Sequence, residues 1–100
     1  MLTLTAVHNT VYNLQDIIVN LGDLLQRWTN DHLTAPVHRV YNYEGKERYS
    51  VPFFFEPNFE TVVECLPQFV SNDNPARYGP TTSGQYLLDK FALTHAESLD

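Results

Sequence analysis

Leu2, Leu4 and Ala6 alternate with threonines over the first six residues, and this period of two predicts a half-buried strand. His8-Asn9-Thr10 reads as a turn, and Val11–Leu14 and Asp16–Leu21 follow, the second with the β-branched run Ile17-Ile18-Val19 that favours another strand. Gly22-Asp23 ends it. Asp23 is placed to N-cap one short helical turn over Leu24–Trp28, its carboxylate accepting from exposed amides, and Thr29-Asn30-Asp31 supplies the turn chemistry that stops the helix.

Beyond Ala35-Pro36 the apolar and aromatic residues of Val37–Tyr43 predict a strand, Glu44-Gly45-Lys46 a hairpin loop and Glu47–Phe55 the return arm. Side chains alternate across a strand, so His38, Val40 and Asn42 share one face of the first arm, and Arg48, Ser50, Pro52 and Phe54 one face of the second. Pro52 has no amide to give a ladder, which places the return arm at an edge or at an irregularity. Trp28 and Phe53-Phe54-Phe55 are expected to pack in the core. Pro57–Phe59 reads as a loop, Thr61–Leu66 as one more short strand, and Phe69–Pro80, rich in Asn, Asp, Pro and Gly, as an irregular crossing. Thr82-x-x-Gln85 has capping-box spacing, and helical periodicity follows through Tyr86, Leu87, Lys90, Phe91 and Thr94. This helix is expected to pack on the sheet through Leu87 and Phe91, with Ala96–Asp100 as a frayed tail.

Composition narrows the class. One hundred residues with 43% hydrophobic, 13% aromatic and 18% charged side chains suit one folded domain and not a disordered tail. Six basic against twelve acidic residues give a net charge of -6, which repels a phosphate backbone, so nucleic acid is not an expected partner. Cys65 has no second cysteine to pair with, no signal-peptide pattern follows Met1, and no run approaches the ~20 apolar residues of a membrane helix. The expectation is a soluble, cytoplasmic protein without a membrane partner.

The residues that bring chemistry lie between Val19 and Ser50. An imidazole, His38, is followed ten positions later by Arg48 and then Ser50, a guanidinium and a hydroxyl alternating along one arm. A guanidinium is a planar donor fork that meets a carboxylate with two parallel hydrogen bonds, a geometry lysine does not reproduce. Taken with Asn20-Leu21-Gly22-Asp23, Thr29-Asn30 and His38-Arg39-Val40, this order resembles the C-terminal half of an isopenicillin N synthase-like iron(II)/2-oxoglutarate-dependent dioxygenase, over roughly residues 16 to 95. The resemblance implies a mainly β fold. This is a partial double-stranded β-helix, or jelly roll, with a short helical turn and a C-terminal helix, residues 1–100 forming one domain that is the second half of the oxygenase. It implies His38 as a metal ligand for Fe(II), Arg48 and Ser50 as the anchor of the co-substrate 2-oxoglutarate, ascorbate beside them, and a small-molecule substrate. Enzymes of this kind couple the oxidative decarboxylation of the oxoacid by dioxygen to hydroxylation, desaturation or cyclisation of a second substrate.

The departures are equally specific. Such sites hold iron with two histidines and one carboxylate, and the family's first two ligands form a His-x-Asp on an earlier strand. No His-x-Asp occurs in this chain, His8 being followed by Asn9 and Thr10. His8 is accordingly read as a turn residue, His32 and Asp31 as solvated loop residues, and His95 as surface. Asp31 stands where the family commonly has glycine, and Thr34 where it has serine. The expectation is a fragment of a larger enzyme, with an exposed sheet edge open to oligomerisation. Two alternatives stay open: a non-catalytic carboxylate-binding or structural β domain, and a metal site completed by His8 or His32 of a second chain.

Overall fold

The computed structural model describes residues 17–39, 42 and 44–97. Its elements are α1 (Asp23–Trp28), β1 (Val62–Val63), a 3-10 turn (Pro67–Phe69), β2 (Thr81–Thr82) and α2 (Ser83–Glu97). The strand expected over Met1–Ala6 lies outside the described residues, as do His8 and the stretch Val11–Leu14.

Six residues are too few for a helix to persist on its own, so α1 is held from outside. Its C-terminal carbonyl, Trp28 O, accepts from Leu66 N at 2.9 Å. The Thr29 hydroxyl donates to Leu25 O (2.9 Å) and accepts from Leu33 N (3.1 Å). Asn30 (φ +48°) and Asp31 (φ +67°) then turn the chain through the left-handed region, where short polar side chains are tolerated and glycine is easiest. The expected cap is displaced by one residue: Gly22 is the N-cap, and Asp23 is the first helical residue. The Asp23 carboxylate is drawn to Tyr86 and Lys90 instead of its own helix.

β1 and β2 pair antiparallel, Val62 opposite Thr82 and Val63 opposite Thr81. Backbone bonds from Ser83 N to Thr61 O and from Gly84 N to Phe59 O, both 2.9 Å, carry the pairing into the first turn of α2. The Phe59 ring packs where a Cβ on Gly84 would stand, so a larger residue there would displace that ring. The capping spacing is realised in one half. Gln85 N donates to Thr82 Oγ1 at 3.1 Å, whereas the Gln85 side chain runs forward to Asp89 (2.8 Å) and not back to the cap. α2 continues to Glu97, so Ala96 and Glu97 are helical and not a frayed tail; residues 98–100 lie outside the described residues.

Val63 is fully buried, alongside the buried polar residues Thr29, Asn30 and Ser83. Several expectations about packing are corrected. The strand predicted over Thr61–Leu66 shrinks to two residues. At its described residues the stretch Asp16–Leu21, the arm Val37–Tyr43 and the return arm Glu47–Phe55 carry no ladder. Gly45 does take the left-handed conformation (φ +63°) of a loop glycine. Among the described residues no strand pairs with the return arm; Phe53 and Phe55 are 86% and 95% exposed and are not core there, and Trp28 is half-buried. Of the two residues expected to seat α2 on the sheet, Leu87 is half-buried but Phe91 is 53% exposed. Tyr86 and Lys90 of α2 reach Asp23 of α1 through polar groups. No helix among the described residues is long and apolar enough to cross a membrane.

Candidate functional site

His38 follows Pro36 by two residues, and its ring is half-buried. Nδ1 lies 2.6 Å from Pro36 O. A carbonyl only accepts, so Nδ1 carries the proton, and in the neutral ring the Nε2 lone pair is left free. Metal-bound histidines are commonly oriented in this way, by a second hydrogen bond from the nitrogen that does not bind. His95 makes a comparable bond to Phe91 O (2.8 Å), but it is exposed on its helix. His32 is exposed and lies against the Phe69 ring at 5.4 Å.

The backbone ahead of His38 is tied to α1 by Gln26. Gln26 Oε1 accepts from Ala35 N at 2.7 Å, and Nε2 donates to Asp31 Oδ1 (3.0 Å) and to the Tyr78 hydroxyl (3.1 Å). Asp31 also receives Tyr78 Oη and Arg77 Nη1, the latter at 3.1 Å. It is therefore no solvated loop residue. The Tyr78 hydroxyl, aided by Gln26 and Arg77, holds the Asp31 carboxyl below the ordinary value of 3.8 against a smaller opposing effect of burial. The same bond pushes the Tyr78 phenol upward.

Beside this lies a second polar cluster between α1 and α2, around a cavity of about 170 Å³ lined by Asp23, Gln26, Arg27, Tyr78, Tyr86 and Lys90. Burial pushes the Asp23 carboxyl up, but the hydrogen bonds from Tyr86 (2.5 Å) and Lys90 (3.2 Å) together outweigh it and leave the group below 3.8. Tyr86 is pushed up by burial and by Asp23, and Lys90 by its bond to Asp23. The Arg27 guanidinium sits 4.9 Å from the Tyr78 ring centre and 5.2 Å from that of Tyr86, and its Nε is buried without a hydrogen-bond partner. The two ring faces offset part of that cost.

Asn30, 1% exposed, joins α1 to the crossing segment. Its Nδ2 donates to Phe69 O (3.1 Å), Asn74 O (3.2 Å) and Pro75 O (3.0 Å), and its Oδ1 accepts from Arg77 N (2.9 Å). Cys65 Sγ approaches the same oxygen at 3.6 Å.

Arg48 and Ser50 are exposed, on the return arm that carries no ladder. Of the acidic residues near Arg48, Glu44 pairs with Lys46 at 3.0 Å and Glu47 accepts from Tyr49. Among the described residues no group of three His, Cys, Asp or Glu side chains is placed to hold a metal ion. The fit to iron is thus incomplete. His38 offers one well-oriented nitrogen donor, an iron site of this kind needs three protein donors, and the chain has no His-x-Asp to supply the others.

The order of residues along the chain suggested no role for Gln26 and only a turn for Asn30. The missed signal lay in their partners, 35 to 52 residues away for Cys65, Arg77 and Tyr78.

Comparison with known proteins settles the class. The sequence profile of the 2OG-Fe(II) oxygenase superfamily matches residues 6–57, and the chain belongs to that family. It is 46% identical over 65 residues to a 2-oxoglutarate-Fe(II) type oxidoreductase of Emericella nidulans, covering 65% of this chain and 19% of that protein. A second 2-oxoglutarate-Fe(II) type oxidoreductase, from Aspergillus fumigatus, is 48% identical over 72 residues, 72% of this chain and 21% of that protein. The kihadalactone A synthase of Citrus sinensis is 40% identical over 82 residues, 82% of this chain and 24% of that protein. The chain thus spans about a fifth to a quarter of the length of these curated relatives. No solved structure matches it. The family implies a jelly-roll fold, Fe(II), 2-oxoglutarate and small-molecule substrates.

Proposed function

We propose that residues 1–100 form the second half of an iron(II)/2-oxoglutarate-dependent oxygenase domain, a mainly β double-stranded β-helix acting on a small molecule. In this reading His38 is one iron ligand, the other two come from sequence that these residues do not contain, and Arg48 and Ser50 hold the distal carboxylate of 2-oxoglutarate. The observation that carries the reading is the tie from His38 Nδ1 to Pro36 O, which leaves Nε2 as the donor nitrogen. Iron, when bound, supplies the activation of dioxygen; this chain's part is to present one ligand and to orient the oxoacid.

The exposure of Arg48, Ser50 and Phe53–Phe55 is consistent with an arm that gains its neighbours from the rest of the domain or from a second chain at the open edge. Ascorbate as a further cofactor and a cytoplasmic setting, supported by the single thiol of Cys65, complete the proposal.

A Co(II) titration of the chain followed by nuclear magnetic resonance tests it. The His38 ring signals should broaden at lower Co(II) than those of His32 and His95, and His38→Ala should abolish the first response. 2-Oxoglutarate should bind more tightly with Co(II) present, and Arg48→Lys should weaken it about tenfold, the worth of one charge-assisted hydrogen bond. Broadening at His38 no earlier than at the other two histidines would refute the ligand role. Metal-independent binding of 2-oxoglutarate would instead mark a non-catalytic carboxylate site.

A further inference from the structure

We propose that Gln26 is a positioning residue for His38, fixing which imidazole nitrogen carries the proton by clamping the Ala35-Pro36 backbone. The inference rests on reading His38 as a ligand, because only a ligand needs its free nitrogen specified.

The route is short and stiff. Ala35 N donates to Gln26 Oε1 at 2.7 Å, and three residues on His38 Nδ1 meets Pro36 O at 2.6 Å. Between the clamped amide and that carbonyl the chain has few soft torsions. The ring of Pro36 locks its own φ, and the residue before a proline is confined to extended conformations. Holding Ala35 N therefore leaves Pro36 ψ as the main freedom of Pro36 O, and Pro36 O, seated against the ring at 2.6 Å, selects the Nδ1–H form of the imidazole.

Gln26 is itself held in one orientation by its neighbours. Ala35 N–H can only donate, so it must meet Oε1; the Asp31 carboxylate can only accept, so it must meet Nε2, which also reaches the Tyr78 hydroxyl. Arg77 and Tyr78 fix Asp31 in turn. The side chain is thus a rigid strut from α1 to the segment that presents the histidine, and its amide satisfies a donor and an acceptor that no apolar residue of the same length could satisfy.

The test compares the chain with Gln26→Met, Gln26→Glu and the double variant Gln26→Glu/Asp31→Asn, at a pH where the imidazole is neutral. Two quantities are read, the proton's position on the His38 ring by long-range nitrogen–proton correlation, and hydrogen exchange at the Ala35 amide. The unaltered chain should show the Nδ1–H form alone. Gln26→Met should speed Ala35 exchange about tenfold, equivalent to about 1.4 kcal/mol, and let the Nε2–H form appear. Gln26→Glu keeps the acceptor but sets two carboxylates against each other, so it should loosen the clamp. Adding Asp31→Asn restores a donor opposite the new carboxylate and should return both readouts to those of the unaltered chain.

Circular dichroism confirms that each variant is folded. A folded Gln26→Met with unchanged exchange and ring protonation overturns the proposal. Should Gln26→Met fail to fold, a double variant that does not recover the parental readouts overturns it equally. The ligand reading fails separately. If Co(II) ignores His38 while the clamp behaves as described, the strut stands and the ligand role falls; if Co(II) finds His38 but Gln26→Met leaves the ring unchanged, the reverse holds.

Discussion

Replacing Asn30 by alanine should remove a large part of the stability of this chain. The loss can be worked from the partners. Phe69 O retains a bond from Asn74 Nδ2 (3.3 Å) and Asn74 O one from Ser71 N (3.0 Å), so neither is orphaned. Pro75 O and Arg77 N have no other hydrogen-bond partner among the described residues. Pro75 and Arg77 are exposed residues, so water reaches these groups in part and each costs toward the lower end of the penalty for a buried group, about 1–2 kcal/mol. Alanine at φ +48° adds roughly 1 kcal/mol, since asparagine tolerates the left-handed region and alanine does not. The sum is about 3–5 kcal/mol, against about 5–15 kcal/mol for a whole domain. Asn30→Gly loses the same bonds without the backbone strain and should be less destabilised than Asn30→Ala by about 1 kcal/mol. Urea unfolding followed by the fluorescence of Trp28, the single tryptophan and two residues from the site, measures both. An alanine variant within about 1 kcal/mol of the unaltered chain, the range of an ordinary substitution, would refute the assignment of Asn30 as the join between α1 and the crossing segment.

Two further outcomes are expected. Thr82→Ala removes the hydroxyl that caps α2, costing about 1 kcal/mol, which is a fall in melting temperature of about 5 °C for a domain of this size; an unchanged melting temperature and helical dichroism would refute the cap. Asp23 and Asp31 have carboxyls lowered from 3.8 in the folded chain, so the folded state binds fewer protons than the unfolded state in that region. The stability they contribute is fully present above about pH 4 and is lost as pH falls through their lowered folded values. Acid unfolding of Asp23→Asn/Asp31→Asn should therefore depend less steeply on pH, and an unchanged slope would count against both assignments.

The sequence was most legible where structure is local. The Thr82-x-x-Gln85 spacing located the start of α2, the Asn, Asp, Pro and Gly content located the irregular crossing, and Thr29-Asn30-Asp31 located the turn that ends α1. In each case the determinants lie within a few residues of the element they form. Strands are different, because alternation shows which side chains seek burial but not whether another strand is there to bury them. Val51, Phe53 and Phe55 read as a strand and stand exposed, with no strand beside them among the described residues. The site divides along the same line. The bond from His38 to Pro36 is local, spanning two residues. The parts played by Gln26 and Tyr78, 52 residues apart, depend on a meeting that no short stretch of chain encodes.

The exposed arm has one further consequence. The bonds within residues 42–56 are local, Asn42 to Lys46, Glu44 to Lys46 and Glu47 to Tyr49, whereas those that hold α1 run directly to residues 66, 78, 86 and 90. A protease cutting anywhere in that arm would sever the polymer without severing these attachments. The two pieces would stay together as a nicked complex, one carrying α1 and the other β1, β2 and α2.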